Sequence, residues 1–432
     1  MKAIILAGGK GTRLSDVNSA IPKVLFEISN KPILEYQLEF LESNDIEEVY
    51  VSTGFMSELI EEFIMDYQSK SRLKINISKE DKPMGTGGAL SLLKDINSDV
   101  LLLYGDVFCD FKFDNFSDFH KSNNSLISLF VHPNDHPHDS DLVQVDSDSR
   151  VTKLHYKDNK PEFFNNLANS GIYLIDSNVI NSLKLKKQDF EKDILAQYIS
   201  GGRVFAYNSP EYVKDMGTPE RLKKVGEDFA NGKTKMKNLR NKQKAIFLDR
   251  DGVINPEIGL ITKSEDFSFL PKVSESIKMI NSSNFLAIII TNQPSVAKGF
   301  CEISDIEDIH RKMETILGQE GAKIDKIYFC PCHPEKGHPG ENAKYKRECS
   351  WRKPGIGMFL EASKQFNIDL ASSFMIGDSS TDMLAANRAK VSAVLLETGY
   401  AGNDGKFIFN TDFRFKNLYD SVKYILSKYD NN

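Results

Sequence analysis

Apolar runs and amphipathic stretches alternate along residues 1–230. The apolar runs have the length of buried strands, and they predict strands at Lys2–Ala7, Val49–Ser52, Leu73–Ser78, Val100–Tyr104 and Ser125–Val131. Apolar residues at helical spacing predict helices at Pro32–Glu42, Ser57–Asp66 and Gly87–Lys94. This alternation predicts an α/β sheet with covering helices.

A basic stretch interrupts the pattern. The segment Asn231–Lys244 carries six basic residues and little to bury, which is typical of a linker or an exposed helix. New buried-strand signals follow at Ala245–Leu248, Leu286–Thr291 and Ser373–Ile376. Since a single core rarely exceeds about 250–300 residues, the 432 residues are predicted to form two α/β domains, 1–230 and 244–432, joined by a linker at 231–243.

The composition excludes some classes of function. A net charge of -6 disfavours a general nucleic-acid binder, which is usually basic. No run approaches the ~18 apolar residues of a membrane span, and the apolar run that opens the chain is too short for a signal peptide. We therefore expect a cytoplasmic protein without nucleic-acid or membrane partners; its oligomeric state stays open.

A glycine-rich loop follows the first predicted strand. The sequence LAGGKGTRL, residues 6–14, contains three glycines whose backbone N–H groups can approach a phosphate closely: Gly8, Gly9 and Gly11. Two cations, Arg13 and Lys23, lie in or shortly after this loop. The loop is neither a P-loop nor a GxGxxG fingerprint, and a plain tight turn is the alternative.

The loop and the PKVL that follows resemble the signature of the sugar-phosphate nucleotidyltransferase family, which has a Rossmann-like catalytic domain. Four further motifs of that family occur in the expected order: Lys79–Ala89, Tyr104–Asp106, Asn169–Gly171 and Asp215–Pro219. The resemblance covers about residues 1–225. It implies that a sugar 1-phosphate oxygen attacks the α-phosphorus of a nucleoside triphosphate and that pyrophosphate leaves.

The resemblance also implies roles for individual residues. Asp106 and Asp215 would bind Mg²⁺, and Lys157 would contact the sugar phosphate, although Tyr156 stands where the family has glutamate. The triphosphate would be held by Arg13 and Lys23. The nucleotide and sugar would contact Leu6, Ala7, Gly8, Gly9, Gly11, Thr12, Glu80, Gly85, Thr86, Asn169 and Gly171. Three alternatives remain: a turn for Asp106, a helix cap for Asp215 and a surface position for Lys157.

Two carboxylates follow the predicted strand Ala245–Leu248. Asp249 and Asp251, in the sequence DRDG, resemble the first motif of the haloacid dehalogenase superfamily, which is also Rossmann-like. The other motifs of that superfamily follow in order between residues 244 and 400: Thr291, Lys353, and Asp378 with Asp382.

This second resemblance implies a phosphomonoesterase. Asp249 would attack phosphorus and form an aspartyl phosphate. Asp251 would protonate the leaving oxygen and then deprotonate the attacking water. Thr291 and Lys353 would offset the phosphoryl charge.

The spelling of the motifs resembles the heptose-bisphosphate and histidinol-phosphate phosphatases. In that case Asn292, Gln293 and Arg352 would line the substrate pocket. Mg²⁺ would be held by the Asp249 carboxylate, the Asp251 backbone carbonyl and Asp378, with Asp382 in support.

Three of the five cysteines, Cys330, Cys332 and Cys349, fall in one short stretch, which in a cytosolic chain suggests metal before disulfide. The related phosphatases hold a structural zinc here with three cysteines and a histidine. Trp351 stands where their last cysteine should be, so a closed site needs another ligand. We expect His338 rather than His333 to complete it; a loop that has lost its metal is the alternative.

The two resemblances together predict a bifunctional enzyme. Its phosphatase would make a heptose 1-phosphate from the 1,7-bisphosphate, and its transferase would join that sugar to a nucleotide, with GTP as the favoured donor. One alternative is a hexose-1-phosphate nucleotidyltransferase fused to a phosphatase of another small phosphate ester. The other is that one half is a non-catalytic sugar-phosphate sensor.

Overall fold

The computed structural model describes residues 1–9, 20–80, 82–93 and 96–430. Its contacts divide the chain into two compact units, and each contains an α/β sheet, as predicted. The first unit comprises Met1–His132, Asp141–His155 and Ala168–Asn238. The second comprises Pro133–Ser140, Tyr156–Leu167 and the chain from Leu239 onwards.

The strands of the first unit are β1 (Lys2–Leu6), β2 (Glu27–Ile28), β3 (Lys31–Pro32), β4 (Glu48–Thr53), β5 (Lys74–Lys79), β6 (Val100–Tyr104), β7 (Val107–Asp110), β8 (Ile127–His132), β9 (Leu142–Val145), β10 (Val151–His155), β11 (Ala168–Ile175), β12 (Val204–Asn208) and β13 (Tyr212–Asp215). The helices are α1 (Ile33–Ser43), α2 (Ser57–Gln68), α3 (Gly85–Leu90), α4 (Phe113–Ser122), α5 (Ser177–Ser182), α6 (Ala196–Ile199), α7 (Pro219–Ala230) and α8 (Lys233–Met236). A π-helix covers Phe190–Leu195, and a 3-10 turn covers Lys23–Leu25.

The main sheet of this unit has nine strands among the described residues. Strand β1 lies between β4 and β6 and runs parallel to both. Its apolar side chains, such as Ile4 and Ile5, are buried, which is why the first strand reads as a continuous apolar run. The carboxyl ends of β1, β4 and β6 therefore meet at one edge, where ligands bind in open α/β sheets.

The predicted helix at Gly87–Lys94 differs from the observed α3, which covers Gly85–Leu90; Lys94 lies outside the described residues. Glycine is a poor helix former, so this turn depends on outside contacts. The backbone N–H groups of Gly87 and Gly88 donate to the carbonyl oxygen of Gln188 at 3.0 and 3.1 Å. Because Gln188 lies far along the chain, helical periodicity alone could not place the ends of α3.

The strands of the second unit are β14 (Lys244–Leu248), β15 (Phe285–Asn292), β16 (Lys326–Cys330), β17 (Phe374–Gly377), β18 (Ser392–Leu396) and β19 (Phe413–Phe415). The helices are α9 (Val273–Ser282), α10 (Ile303–Gln319), α11 (Gly357–Phe366), α12 (Ser380–Ala389) and α13 (Leu418–Tyr429). Single 3-10 turns cover Pro137–Asp139, Ser264–Asp266 and Leu370–Ser372.

The six described strands of this unit run parallel in the order β16-β15-β14-β17-β18-β19. The chain passes outward from β14 through β15 to β16 and then returns to the other side of β14 with β17. The crevice at such a reversal, beyond the carboxyl ends of the strands, is where open α/β sheets bind ligands.

Two segments from residues 1–230 belong to the second unit. In one of them, the backbone N–H of Phe164 donates to Thr315 Oγ1 on α10 at 2.9 Å, and Asn165 Nδ2 donates to Glu314 Oε2 at 3.0 Å. The predicted linker 231–243 contains α8 and buries the side chains of Thr234 and Leu239. The division of the chain at residues 230 and 244 stays a prediction. None of the described helices has the length and apolar character needed to cross a bilayer.

Candidate active sites

A cavity of about 660 Å³ opens at the carboxyl ends of β1 and β6 in the first unit. Nine residues predicted from the sequence line it: Leu6, Ala7, Gly8, Gly9, Lys23, Glu80, Gly85, Thr86 and Asp106. Six further lining residues belong to the predicted motifs, namely Val24, Pro83, Ala89, Tyr104, Gly105 and Gly217, whereas Gly54 and Phe55 were not predicted. The loops after both strands thus contribute to one cleft.

Close backbone approach explains two glycines in this wall. A Cβ added to Gly105 would lie 2.6 Å from the carbonyl oxygen of Leu6, and one added to Gly8 would lie 3.2 Å from Glu80 Oε1. Glu80 is itself held in place, since its carboxylate accepts from the backbone N–H of Met84 at 2.8 Å and from Ser52 Oγ at 3.2 Å. The Glu80 carboxylate therefore shapes the loop that closes one side of the cavity.

The two aspartates predicted to bind metal stand on paired strands. Strand β13 pairs with β7 so that Asp215 lies opposite Val107, the residue after Asp106. Asp106 forms an ion pair with Lys23, and Asp215 forms one with Arg221 at 2.7 Å. Burial alone would raise the pKa of Asp215, but Arg221 holds it below its ordinary value.

The cap of α7 decides one alternative for Asp215. Thr218, not Asp215, is the N-cap, and its hydroxyl accepts from the backbone N–H of Arg221 at 3.3 Å. The Asp215 carboxylate instead accepts from the guanidinium of the same arginine. Arg221 lies outside every motif identified in the sequence, so this ion pair was not predicted.

A hydrogen-bonded network lies behind the cavity wall. Tyr104 and Tyr173 both donate to Glu191 Oε1, at 2.7 and 2.8 Å, and Asn169 Nδ2 contacts the Tyr173 hydroxyl at 2.6 Å. Burial raises the pKa of Glu191. A Cβ added to Gly171 would lie 3.0 Å from the Tyr104 ring. The structure therefore places Asn169 and Gly171 next to the tyrosines behind the wall, not among the residues that line the cavity.

Four further predicted residues lie outside the described part of the first unit. Gly11, Thr12 and Arg13 lie outside the described residues. Lys157 is exposed, follows β10 and belongs to a segment grouped with the second unit. Its predicted contact with a sugar phosphate stays a prediction.

Three carboxylates meet at the strand ends of the second unit. Oxygen atoms of Asp249 after β14, Asp378 after β17 and Asp382 on α12 all lie within 4.8 Å of one another. The buried Lys353 ammonium lies 2.9 Å from Asp249 Oδ2 and 2.5 Å from Asp382 Oδ1. The residues that the motifs single out are therefore brought together.

The charges of this cluster are unequal. Burial, together with the Asp382 charge, raises the pKa of Asp249 to about 7 and that of Asp378 to about 8. The pKa of Asp382 is lowered, because Lys353 outweighs the effect of burial. Lys353 thus pairs with two of the three acids, and carboxylate oxygens at this spacing suit a hard divalent cation such as Mg²⁺.

Gly252 leaves the space that this cluster occupies. Its φ is +77°, and an added Cβ would lie 2.4 Å from the carboxyl carbon of Asp378. The carbonyl of Gly252 accepts from Thr398 Oγ1 at 2.6 Å. A residue with a side chain would therefore displace Asp378.

Two residues predicted to line the substrate pocket form hydrogen bonds with neighbouring protein groups. The amide of Asn292 exchanges two hydrogen bonds of 2.9 Å with the backbone of Lys353. Gln293 is 2% exposed, and its amide donates to Asp251 Oδ2 at 2.8 Å and to Thr291 Oγ1 at 3.0 Å. Their place in the substrate pocket stays a prediction.

The three predicted cysteine ligands meet, because the sulfur atoms of Cys330, Cys332 and Cys349 lie within 4.8 Å of one another. Among the described residues no histidine joins this group. The predicted fourth ligand, His338, instead has its ring 6.0 Å from that of Phe300. Because no described histidine lies with the three sulfur atoms, the position of His338 within the loop did not predict a contact with the thiols.

The cysteine group is connected to the catalytic loop through Arg352. Its backbone N–H donates to the carbonyl of Cys349 at 3.0 Å, and its guanidinium donates to the carbonyl of Cys332 at 3.2 Å. Since Lys353 is the next residue, the thiol group and the aspartate cluster share one short segment of backbone.

Comparison with known proteins gives a separate result for each half. Residues 2–232 match the nucleotidyl transferase family, and residues 350–421 match the HAD-hydrolase-like family. Probable mannose-1-phosphate guanylyltransferase 1 of Oryza sativa subsp. japonica is 32% identical over 225 residues, which are 51% of this chain and 62% of that protein. The chain thus spans less than two thirds of the guanylyltransferases it matches.

The second half is similar to a smaller enzyme. D-glycero-beta-D-manno-heptose-1,7-bisphosphate 7-phosphatase of Haemophilus ducreyi is 37% identical over 161 residues, which are 37% of this chain and 86% of that protein. Among solved structures, HddC from Yersinia pseudotuberculosis covers 53% of this chain and 99% of its own at 27% identity, with a TM-score of 0.47.

Proposed function

The chain belongs to the nucleotidyl transferase family and, in its second half, to the family of the heptose bisphosphate phosphatases, and on that premise we propose that it is a bifunctional enzyme of nucleotide-activated heptose synthesis. The phosphatase removes the 7-phosphate of D-glycero-D-manno-heptose 1,7-bisphosphate. The transferase then joins GMP from GTP to the heptose 1-phosphate and releases pyrophosphate. The observation that supports this proposal most directly is that, in each unit, polar residues of that unit's motifs lie together at the ends of its strands.

The phosphatase reaction follows from the acid cluster. Asp249 lies at the end of β14 with its carboxylate beside the Lys353 ammonium, which offsets charge on the phosphoryl group during attack. The Asp249 carboxylate bonds to phosphorus as the ester oxygen leaves, and Asp251 supplies that oxygen's proton. Mg²⁺ held by Asp249 and Asp378 would neutralise phosphate oxygens when bound.

The transferase reaction uses the cavity of the first unit. The backbone of Gly8 and Gly9 borders the cleft, as does Lys23, so the N–H groups and the ammonium suit a triphosphate. Asp106 and Asp215 supply oxygen ligands that suit Mg²⁺. Binding and alignment of the substrates provide most of the rate enhancement of such a transfer, since the protein takes little covalent part in phosphoryl chemistry.

The choice of GTP and heptose rests on the relatives. The transferase half resembles guanylyltransferases, and the phosphatase half resembles heptose bisphosphate phosphatases, whose product carries the 1-phosphate that a transferase consumes. Two consecutive reactions in one chain account for both likenesses. Such soluble intermediates fit a cytoplasmic enzyme.

Product analysis tests this function. The purified chain with Mg²⁺ and heptose 1,7-bisphosphate should release one phosphate and, with GTP, form GDP-heptose and pyrophosphate. ATP, CTP and UTP serve as matched donors and should give less product. Turnover of mannose 1-phosphate with GTP, together with no reaction of the heptose substrates, would overturn the heptose assignment.

We also propose that the cysteine group holds a structural zinc. Three buried or half-buried thiols within 4.8 Å supply three ligands. Neither His333 nor His338 lies within that distance of all three sulfur atoms, and we propose His333 as the fourth ligand, because it adjoins Cys332, is buried, and has no hydrogen-bond partner at Nδ1 within the described structure. Burial, with the nearby Arg352 charge, lowers the pKa of His333 to about 4, so its imidazole is neutral at pH 7.

Metal analysis of protein purified without chelator should find one zinc per chain. A competition titration with a chromophoric chelator should show weaker zinc binding in His333→Ala, with His338→Ala as the matched control close to the parent. Less than a tenth of an equivalent of zinc in a protein with full phosphatase activity would contradict the proposal.

A further inference from the structure

The residue between the two catalytic aspartates is fully buried. Arg250 is 0% exposed, the largest side chain of the described structure to be so enclosed. A guanidinium carries its charge at any physiological pH, so enclosing it is costly unless its donors are satisfied. The groups that accept its hydrogen bonds therefore indicate the role of Arg250.

Those partners centre on the carboxylate of Asp251. Arg250 Nε and Nη2 donate to Asp251 Oδ1 at 3.2 and 3.0 Å, and Nη2 also reaches Oδ2 at 3.2 Å. Nη2 donates further to Gln293 Oε1 at 2.9 Å, and Nη1 lies 3.5 Å from His310 Nε2. The arginine thus contacts the carboxylate on one side and the buried interior on the other.

Two amides complete the cage. Gln293 Nε2 donates to Asp251 Oδ2 at 2.8 Å, and Asn255 Nδ2 donates to Oδ1 at 2.9 Å. The backbone is fixed as well, because the carbonyl of Arg250 accepts from the N–H groups of Ile254 and Asn255 at 2.8 and 3.1 Å. Both oxygens of Asp251 are therefore held in place by donors from three side chains.

We infer that Arg250 is a positioning residue that sets the orientation of the Asp251 carboxylate for proton transfer. Being enclosed, it cannot touch the substrate and acts only through Asp251. The inference rests on the proposed phosphatase activity. A packing role alone would affect every substrate equally, whereas a role through Asp251 affects only steps in which Asp251 moves a proton.

The leaving group separates these roles. When Asp249 bonds to phosphorus and the phosphorus–oxygen bond of a sugar ester breaks, the departing alkoxide takes a proton from the Asp251 carboxyl. With 4-nitrophenyl phosphate the same bonds form and break, but the nitrophenolate leaves without a proton. The first turnover on the aryl ester therefore does not depend on the orientation of Asp251.

The test compares first-turnover rates of Arg250→Met on heptose 1,7-bisphosphate and 4-nitrophenyl phosphate, in the full chain with Mg²⁺. General acid catalysis contributes about 10²–10⁴-fold, so release of the sugar should slow by roughly 10²-fold while the nitrophenolate burst falls by less than about threefold. Arg414→Met, an exposed arginine on β19, is the matched control and should change neither rate.

Equal losses on the two esters would overturn the inference and leave Arg250 with a packing role. If circular dichroism shows that Arg250→Met does not fold, Gln293→Met removes the donor to Asp251 Oδ2 and is judged by the same ratio. A parent enzyme that cleaves the aryl ester but not heptose bisphosphate would contradict the proposed substrate instead, so the two failures are distinguishable.

Discussion

The Lys353 ammonium lies 2.9 Å from Asp249 Oδ2, and this ion pair joins the end of β14 to the loop before α11. The backbone N–H of Lys353 donates to the side-chain oxygen of Asn292, at the end of β15. Three separate parts of the chain thus fix one nucleophile and its cation.

Gly252→Ala should destabilise the phosphatase unit and lower its activity at least tenfold, because the new methyl would collide with Asp378. Gly259→Ala is the matched control: Gly259 also has a positive φ, but no atom lies within 4 Å of an added Cβ. The control should show only the cost of placing a Cβ at a positive φ, about 1–2 kcal/mol. Chemical denaturation measures the stability of both variants, and a phosphatase assay measures their activity. Equal effects of the two substitutions would contradict the steric account.

Without Mg²⁺, the phosphatase unit should lose stability as pH rises from about 6.5 to 8, above the range in which the buried His310 and His333 act in the opposite direction. Folding raises the pKa of Asp249 to about 7 and of Asp378 to about 8, so the folded state binds more protons in this range. Their stabilising contribution is present at low pH and is lost as pH rises through the folded values, at up to about 1.4 kcal/mol per pH unit for each proton.

Thermal melts at several pH values, with and without MgCl₂, check this trend. Mg²⁺ binds the ionised acids, so its stabilising effect should grow with pH. A melting temperature that rose with pH in the absence of Mg²⁺, or an effect of Mg²⁺ that did not depend on pH, would contradict the charge balance described above.

Glu191→Leu should weaken the transferase unit by about 1–3 kcal/mol, because two buried tyrosine hydroxyls lose their acceptor. Since Tyr104 lines the cavity, pyrophosphate release should slow as well. Glu191→Gln retains an acceptor oxygen and should recover most of both losses. Glu227→Leu, an exposed position on α7, is the control. Unchanged stability in Glu191→Leu would show that the network contributes little.

A fragment of residues 239–432 should lose phosphatase activity at a lower temperature than the full chain. It lacks the Phe164 and Asn165 contacts to α10, and it leaves the buried Glu314, whose pKa burial raises to about 7, without its amide donor. Asn165→Ala in the full chain removes the amide donor to Glu314 and should shift heat inactivation in the same direction. Identical inactivation curves would show that this segment is dispensable.

Much of both folds was predictable because buried strands read as apolar runs and their carboxyl ends converge. Asp249, Asp378 and Lys23 were identified from their motifs; the two aspartates lie directly after β14 and β17, and Lys23 lines the cavity of the first unit. Supporting residues were harder to find. Glu191 is 87 positions from its partner Tyr104, and nothing in its local sequence indicates the contact.

Side-chain direction was the second limit. Gln293 and Asn292 were assigned to the substrate pocket because their motif resembles that of the heptose-bisphosphate phosphatases, and the structure shows that both amides also bond to other protein groups. Likewise, His338 was expected to complete the zinc site, but no described histidine lies with the three thiols. Motif spacing fixes which strand end a residue occupies, whereas its hydrogen-bond partner depends on the folded neighbours.

The most direct test of two independent active sites uses one substitution in each unit of the full chain. Asp249→Asn should abolish phosphate release from heptose 1,7-bisphosphate yet keep pyrophosphate release from heptose 1-phosphate and GTP, and Asp106→Asn should do the reverse. Both variants should show the thermal unfolding transition of a folded protein, so that each loss of activity reflects the catalytic step and not unfolding. A single substitution that stopped both reactions in a folded chain would contradict the account.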